Sequence, residues 1–230
     1  MAKPMTNFDQ IRAIAFDLDG TLVDSVPDLA AATNATLLEL ELPQASEEQV
    51  RGWVGNGAKM LMRRALSFAL GNEVDETRLT ETMPKFMHHY GLFLEKHSCL
   101  YPNVLSTLTA LKQAGYRLAV VTNKPYRFTV PLLEAFGLTD LFDHVLGGDS
   151  LAQMKPDPLP LNHLLQQWQI KPQQLLMIGD SKNDILAAQS ANVAVIGLTY
   201  GYNYGEHISL SEPNEVCDDF GQIGQLLLSK

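Results

Sequence analysis

Arg12-Ala13-Ile14-Ala15-Phe16-Asp17-Leu18-Asp19-Gly20-Thr21-Leu22 decides how the rest of the chain is read. Ile14, Ala15 and Phe16 form the short apolar run of a buried strand, and the run stops at an aspartate. A second aspartate stands two residues on, followed by Gly20, which lets the backbone turn sharply. In a parallel α/β sheet, carboxylates just past a strand face the crevice where ligands bind. Two carboxylates so close repel each other, and burying them unpaired is costly. A divalent cation relieves both, and hard oxygen donors suit Mg²⁺. For this stretch alone, the competing reading is a strand end followed by a solvated Asp-Gly turn.

Working outward, apolar runs at 117–122, 144–147, 175–179 and 193–197 read as four further strands, with helical patterns between them. Alternating elements of these lengths predict an α/β fold: a doubly wound, Rossmann-like parallel sheet covered on both faces. The predicted helices of this part cover 104–115, 130–136, 159–168 and 185–191. Between about 23 and 98 the pattern is helical only. Leu29 to Leu40 recurs at helical spacing. Ala58, Leu61, Met62, Ala65, Leu66, Ala69 and Leu70 make one apolar stripe that Gly71 closes. A third helix spans 79–94, with Met83, Phe86, Met87, Tyr90 and Phe93 read as core. The expected organisation is therefore a core built from 1–22 and 99–230, with 23–98 inserted as an all-helical cap. An insert that begins right after the aspartate pair enters and leaves beside the site, where a lid would sit.

Composition narrows the class. Of 230 residues, 46% are apolar and 19% charged, which suits a soluble enzyme with a packed core. A formal charge of −9 disfavours nucleic acid, whose phosphates attract basic surfaces. Cys99 and Cys217 provide neither metal-ligand spacing nor a disulfide framework. No apolar run approaches membrane-spanning length. The polar first ten residues do not resemble a signal peptide, so the expected location is cytoplasmic.

Three more strand ends carry polar groups. Thr122-Asn123-Lys124 offers a hydroxyl, an amide and fresh backbone N–H groups that can cradle phosphate oxygens, although Thr and Asn also cap helices. Lys155 stands just before the stiff turn Pro156-Asp157-Pro158; alone it would read as a solvated charge. Gly179-Asp180-Ser181-Lys182-Asn183-Asp184 ends the 175–179 strand with two aspartates four residues apart. Asp180 reads as a further metal ligand. If the next helix begins at Ser181, Asp184 lies on its first turn and reads either as a ligand through water or as a group that orients Lys155. Capping and helix-dipole roles compete for both.

In this order the four runs resemble the four motifs of the haloacid dehalogenase superfamily, and the resemblance covers essentially the whole chain. It implies that Asp17 attacks phosphorus and forms an aspartyl-phosphate. Asp19 would protonate the leaving alcohol and then deprotonate water, a role that points to phosphate rather than halide chemistry. Thr122 and Asn123 would bind the phosphoryl oxygens. Lys155 would contact both nucleophile and phosphoryl group. Mg²⁺ would sit among Asp17, Asp19, Asp180 and, less directly, Asp184. Many members also carry a helical cap at the position of the insert.

The substrate would be recognised by the insert. Trp53-Val54-Gly55-Asn56-Gly57-Ala58 puts two glycines before a helix, with Lys59, Arg63 and Arg64 in its first two turns. Helix N-termini bind anions, so Gly55, Asn56, Gly57 and Lys59 are expected to grip a small carboxylate while the core holds phosphate. The run resembles members of the superfamily that act on a two-carbon phospho-acid. The expected partner is a small phosphorylated acid, with no nucleic acid and no membrane, and the chain is expected to be a monomer or homodimer. Two rivals stand beside this: a sugar phosphomutase of the same superfamily, and a non-catalytic phosphate-binding or receiver-like module, against which the insert counts. The loop 201–206 carries no assigned role.

Overall fold

The computed structural model describes residues 8–229. In chain order the elements are β1 (Ala13–Phe16), β2 (Val23–Asp24), α1 (Val26–Glu39), α2 (Glu47–Arg51), α3 (Gly57–Leu70), α4 (Glu76–Phe93) and β3 (Cys99–Leu100). Then follow α5 (Val104–Gln113), β4 (Arg117–Val121), α6 (Tyr126–Ala135), β5 (His144–Leu146), α7 (Leu159–Trp168) and β6 (Leu175–Gly179). The chain ends with α8 (Lys182–Ser190), β7 (Ala194–Leu198), β8 (Glu215–Cys217) and α9 (Gly221–Leu228).

Six strands form one sheet in the order β5-β4-β1-β6-β7-β8, every pair parallel. Successive side chains of a strand point to opposite faces, so each strand supplies two cores. Ile14, Phe16, Val120 and Ile178 enter one hydrophobic cluster, and Ala13, Ala15, Val121 and Met177 the other. Burial on both faces explains why these strands read as unbroken apolar runs rather than alternating ones.

Topology places the site. After β1 the chain builds β4 and β5 on one side and then crosses back to build β6, β7 and β8 on the other. β1 lies between β4 and β6, paired with both in register, Phe16 opposite Val120 and Ile178. The residues just past these three strands therefore meet at the point where strand order reverses, the crevice in which such sheets bind ligands.

Helices α1 to α4 leave and rejoin the sheet through β2 and β3, which pair antiparallel, Val23 with Leu100 and Asp24 with Cys99. This two-residue ladder was not expected from sequence, since it is too short for any periodicity. Buried Asp28 ties it down by accepting bonds from the backbone N–H groups of His97 and Ser98 and from the Ser98 hydroxyl. Two helix starts in the α/β part differ from expectation. α6 starts at Tyr126 rather than 130, because the distant Asp149 carboxylate accepts the Tyr126 N–H and Pro125 presets the first turn. α8 starts at Lys182 rather than 185, with Asp184 accepting from the Ser181 N–H and hydroxyl. The short helix α2 and the pair β8 and α9 carry patterns too brief to stand out. Both cysteines are free, Cys99 exposed and Cys217 buried. Among the described residues, no helix is long and apolar enough to cross a membrane.

Candidate active site

Asp17 directly follows β1, and its Oδ1 accepts the Leu18 N–H at 2.7 Å. The same oxygen lies 3.0 Å from Lys155 Nζ. Lys155, 2% exposed, also donates to Asp184 Oδ1 at 2.6 Å. Asp184 makes the contact with Lys155 that its orienting reading requires. One oxygen holds Lys155, and the other accepts from Ser181 N and Oγ at 3.0 and 2.8 Å. Asp180 is gripped from two sides, by the Thr21 hydroxyl at 2.7 Å and the Tyr202 N–H at 2.6 Å. Gly20 must be glycine here. Its φ is +88°, and a Cβ would stand 2.3 Å from Asp180 Oδ2.

Asp17, Asp180 and Asp184 each offer one oxygen, and these three lie within 4.8 Å of one another, all buried. Burial pushes the Asp17 carboxyl up to about 7; Lys155 opposes this, and Asp184 and Asp19 push the same way. Asp180 is raised too, by burial and then by Asp17 and Asp184. Three buried carboxylates against the single ammonium of Lys155 leave about two negative charges uncompensated when all are ionised. A hard divalent cation fits that donor set in both charge and ligand type.

The Asp19 carboxylate lies outside this trio. Its Oδ1 instead accepts from Lys124 Nζ at 2.7 Å and from Ser25 Oγ at 2.6 Å. Ser25 thus spends its hydroxyl on Asp19 rather than on capping α1. Sequence reasoning also missed Lys124. Only 4% exposed, it pairs with Asp19, donates to the Tyr90 hydroxyl and lies 4.8 Å from the centre of the Tyr90 ring. Its one local signal, a lysine directly after Thr122-Asn123, is shared by any solvated lysine.

Thr122 follows β4 beside Asp17 and its hydroxyl accepts the Lys124 N–H at 3.2 Å. The Asn123 side chain donates to Gly55 O and Lys155 O at 3.0 and 2.8 Å, so both amide protons are committed and a phosphoryl group is left the backbone of this residue.

A cavity of about 40 Å³ opens over these groups, lined on the sheet side by Asp17, Asp19, Thr122 and Lys124. Leu29 of α1, Gly57 and Leu61 of α3, Tyr90 of α4 and Val54 and Gly55 of the turn before α3 form the opposite wall. It has room for about three waters. Gly55 and Gly57 line it as expected; Asn56 and Lys59 do not. Lys59, exposed, pairs with Glu76 at 3.0 Å, and Arg63 pairs with the same carboxylate. Arg64 donates to Trp53 O and to Asn56 Oδ1. The basic residues of α3 therefore satisfy their own helical segment and its loop, not the cavity. Gly55 O is also taken, by Asn123 and by Asn183 at 3.0 Å each. The unassigned loop 201–206 has structural work: Tyr202 holds Asp180 and donates to Asp24, and Tyr204 donates to Asn56 Oδ1 at 2.9 Å.

The sequence profile of haloacid dehalogenase-like hydrolases matches residues 14–198. A phosphoglycolate phosphatase of Pasteurella multocida is 51% identical over 221 residues, covering 95% of this chain and 99% of the relative. One from Vibrio vulnificus is 49% identical, covering 95% and 97%. A crystal structure described as a predicted phosphoglycolate phosphatase, from Haemophilus somnus, superposes with a TM-score of 0.91 at 48% identity, covering 96% of this chain and 99% of that one.

Proposed function

This chain belongs to the haloacid dehalogenase-like hydrolases, and from that premise we propose that it hydrolyses 2-phosphoglycolate to glycolate and phosphate. The observation that carries the reading is the meeting of Asp17 and Asp19 at one small cavity, with Lys155 and Asp180 packed beside Asp17, in a chain half identical to phosphoglycolate phosphatases along nearly its whole length. The mechanism follows from what each group touches. Both bonds recorded for Asp17 fall on Oδ1, so Oδ2 is the oxygen that attacks phosphorus. Lys155 holds the nucleophile in place and offsets charge on the transferring group. Thr122 and the backbone after it receive the phosphoryl oxygens. Asp19 delivers a proton to the departing glycolate oxygen, then takes one from the water that cleaves the aspartyl-phosphate. Asp17, Asp180 and Asp184 would hold Mg²⁺, which neutralises charge on the nucleophile and phosphoryl oxygens. Residues 23–98 act as the cap over a core of 1–22 and 99–230, latched through Gly55 O and Tyr204, and excluding water from the intermediate.

A panel of small phosphate esters tests the substrate. Phosphate release in Mg²⁺ is expected to be fastest from 2-phosphoglycolate, and to vanish with chelator. Equal rates across the panel would discard the assignment while leaving the chemistry.

The cation can be tested without turnover. Stripped of metal, the folded chain keeps a proton on Asp17 that the unfolded chain has already released, over the range from 3.8 to about 7. Stability then falls as pH rises through that range and levels off above it. A divalent ion binds the ionised trio and removes this penalty. The rise in melting temperature on adding Mg²⁺ is therefore expected to be larger at pH 8 than at pH 5. A gain that is constant with pH would contradict the ligand set.

A further inference from the structure

We infer that Lys124, held by Tyr90, is the anchor for the substrate's carboxylate, the role that sequence placed on Lys59 and the loop at 55–57. The inference rests on the proposed substrate class. Among the described residues, Lys124 is the only basic one lining the cavity. The other buried lysine, Lys155, is committed to Asp17 and Asp184, and the basic residues of α3 are paired elsewhere. Without Lys124, a ligand carrying both phosphate and carboxylate would enter a cavity whose only charges are those of Asp17 and Asp19.

Position agrees with charge. Lys124 Nζ lies 2.7 Å from the carboxylate that protonates the leaving oxygen. In a 2-phospho acid the carboxyl carbon is only two bonds from that same oxygen, so an anion bound to Lys124 is where the substrate's own carboxylate must fall. An ammonium has three protons. Among the described residues, Lys124 gives two of them, to Asp19 and Tyr90, which leaves the third for a ligand. The Tyr90 hydroxyl and ring fix the ammonium's place at the helical wall, so the cap contributes recognition through a tyrosine rather than a cation.

The test compares 2-phosphoglycolate with 2-hydroxyethyl phosphate, which replaces the carboxylate by a neutral hydroxymethyl group. In Lys124→Met, kcat/KM for phosphoglycolate is expected to fall roughly 10- to 100-fold, the range for a hydrogen bond to a charged group. The neutral ester loses only the share that comes from depriving Asp19 of its partner, so the wild-type preference for phosphoglycolate shrinks. In Mg²⁺, glycolate and inorganic phosphate each raise the wild-type melting temperature; the variant keeps the phosphate shift and loses the glycolate shift. Tyr90→Phe, which removes only one hydroxyl, shows the same selective loss to a smaller degree and serves if the lysine variant folds poorly. Equal losses for both esters, or an unchanged preference, would overturn the anchor while leaving the substrate assignment intact. A wild type that does not distinguish the two esters would overturn the substrate assignment itself.

Discussion

Asp17→Asn loses phosphate release by roughly 10⁴-fold or more, the scale seen when the reacting nucleophile of a catalytic unit is removed. An amide oxygen is a poor nucleophile, and no other carboxylate can replace it. Asp180 is held by Thr21 and Tyr202, Asp184 by Lys155 and Ser181, and Asp19 by Lys124 and Ser25. The substitution is nearly isosteric, and it removes a buried charge from a cluster that is already too negative. The metal-free variant is therefore expected to melt no lower than wild type at pH 8, where ionised Asp17 is most costly. Acid-quenched protein mixed with phosphate-labelled ester should retain label in the wild type and none in the variant. Residual turnover within tenfold of wild type, or label retained on the variant, would remove Asp17 from the nucleophile's role.

Asp19→Asn is expected to lose about 10²- to 10⁴-fold on 2-phosphoglycolate, the range of general acid–base catalysis. The loss depends on the leaving group. An alkoxide needs a proton as it departs, whereas p-nitrophenolate does not, so with p-nitrophenyl phosphate the variant still phosphorylates Asp17. The second half-reaction then stalls, because no base activates water. Rapid-quench experiments should show a burst of p-nitrophenol with phosphorylated protein accumulating. Equal losses on both esters, with no accumulated intermediate, would show that Asp19 only positions the site. Its contacts allow the proposed role. Both recorded partners of Asp19, Lys124 and Ser25, fall on Oδ1, leaving Oδ2 for the proton transfers.

The opening stretch was legible because its information is local. A strand of Ile14, Ala15 and Phe16 and a turn at Gly20 are set by residues within a few positions, and they put Asp17 and Asp19 past a strand end in any packing. The same holds for Thr122, Asp180 and the stiff turn after Lys155. Their convergence follows once β1 lies between β4 and β6. The long side chains were not legible. Lysine on a four-carbon stem can reach water, a helical neighbour or a distant carboxylate, and only the packed neighbours decide among these. Lys59 was expected in the cavity and pairs with Glu76; Lys124 was passed over and lines it. Tyr90 reads as one more apolar position on α4, and its hydroxyl matters only because Lys124 arrives beneath it.

By itself, the sequence determined the parallel α/β architecture, the helical insert after the first aspartate pair, and the chemical kinds of group at each strand end. Periodicity and turn preference act over a few residues and survive without tertiary context. The tertiary structure alone decided which charges meet. Lys124 and Asp19 are 105 positions apart, and Tyr204 and Asn56 148. Contacts at such separations exist only after strand order and the docking of the helical segment are set, because burial then removes water as the competing partner for each charge.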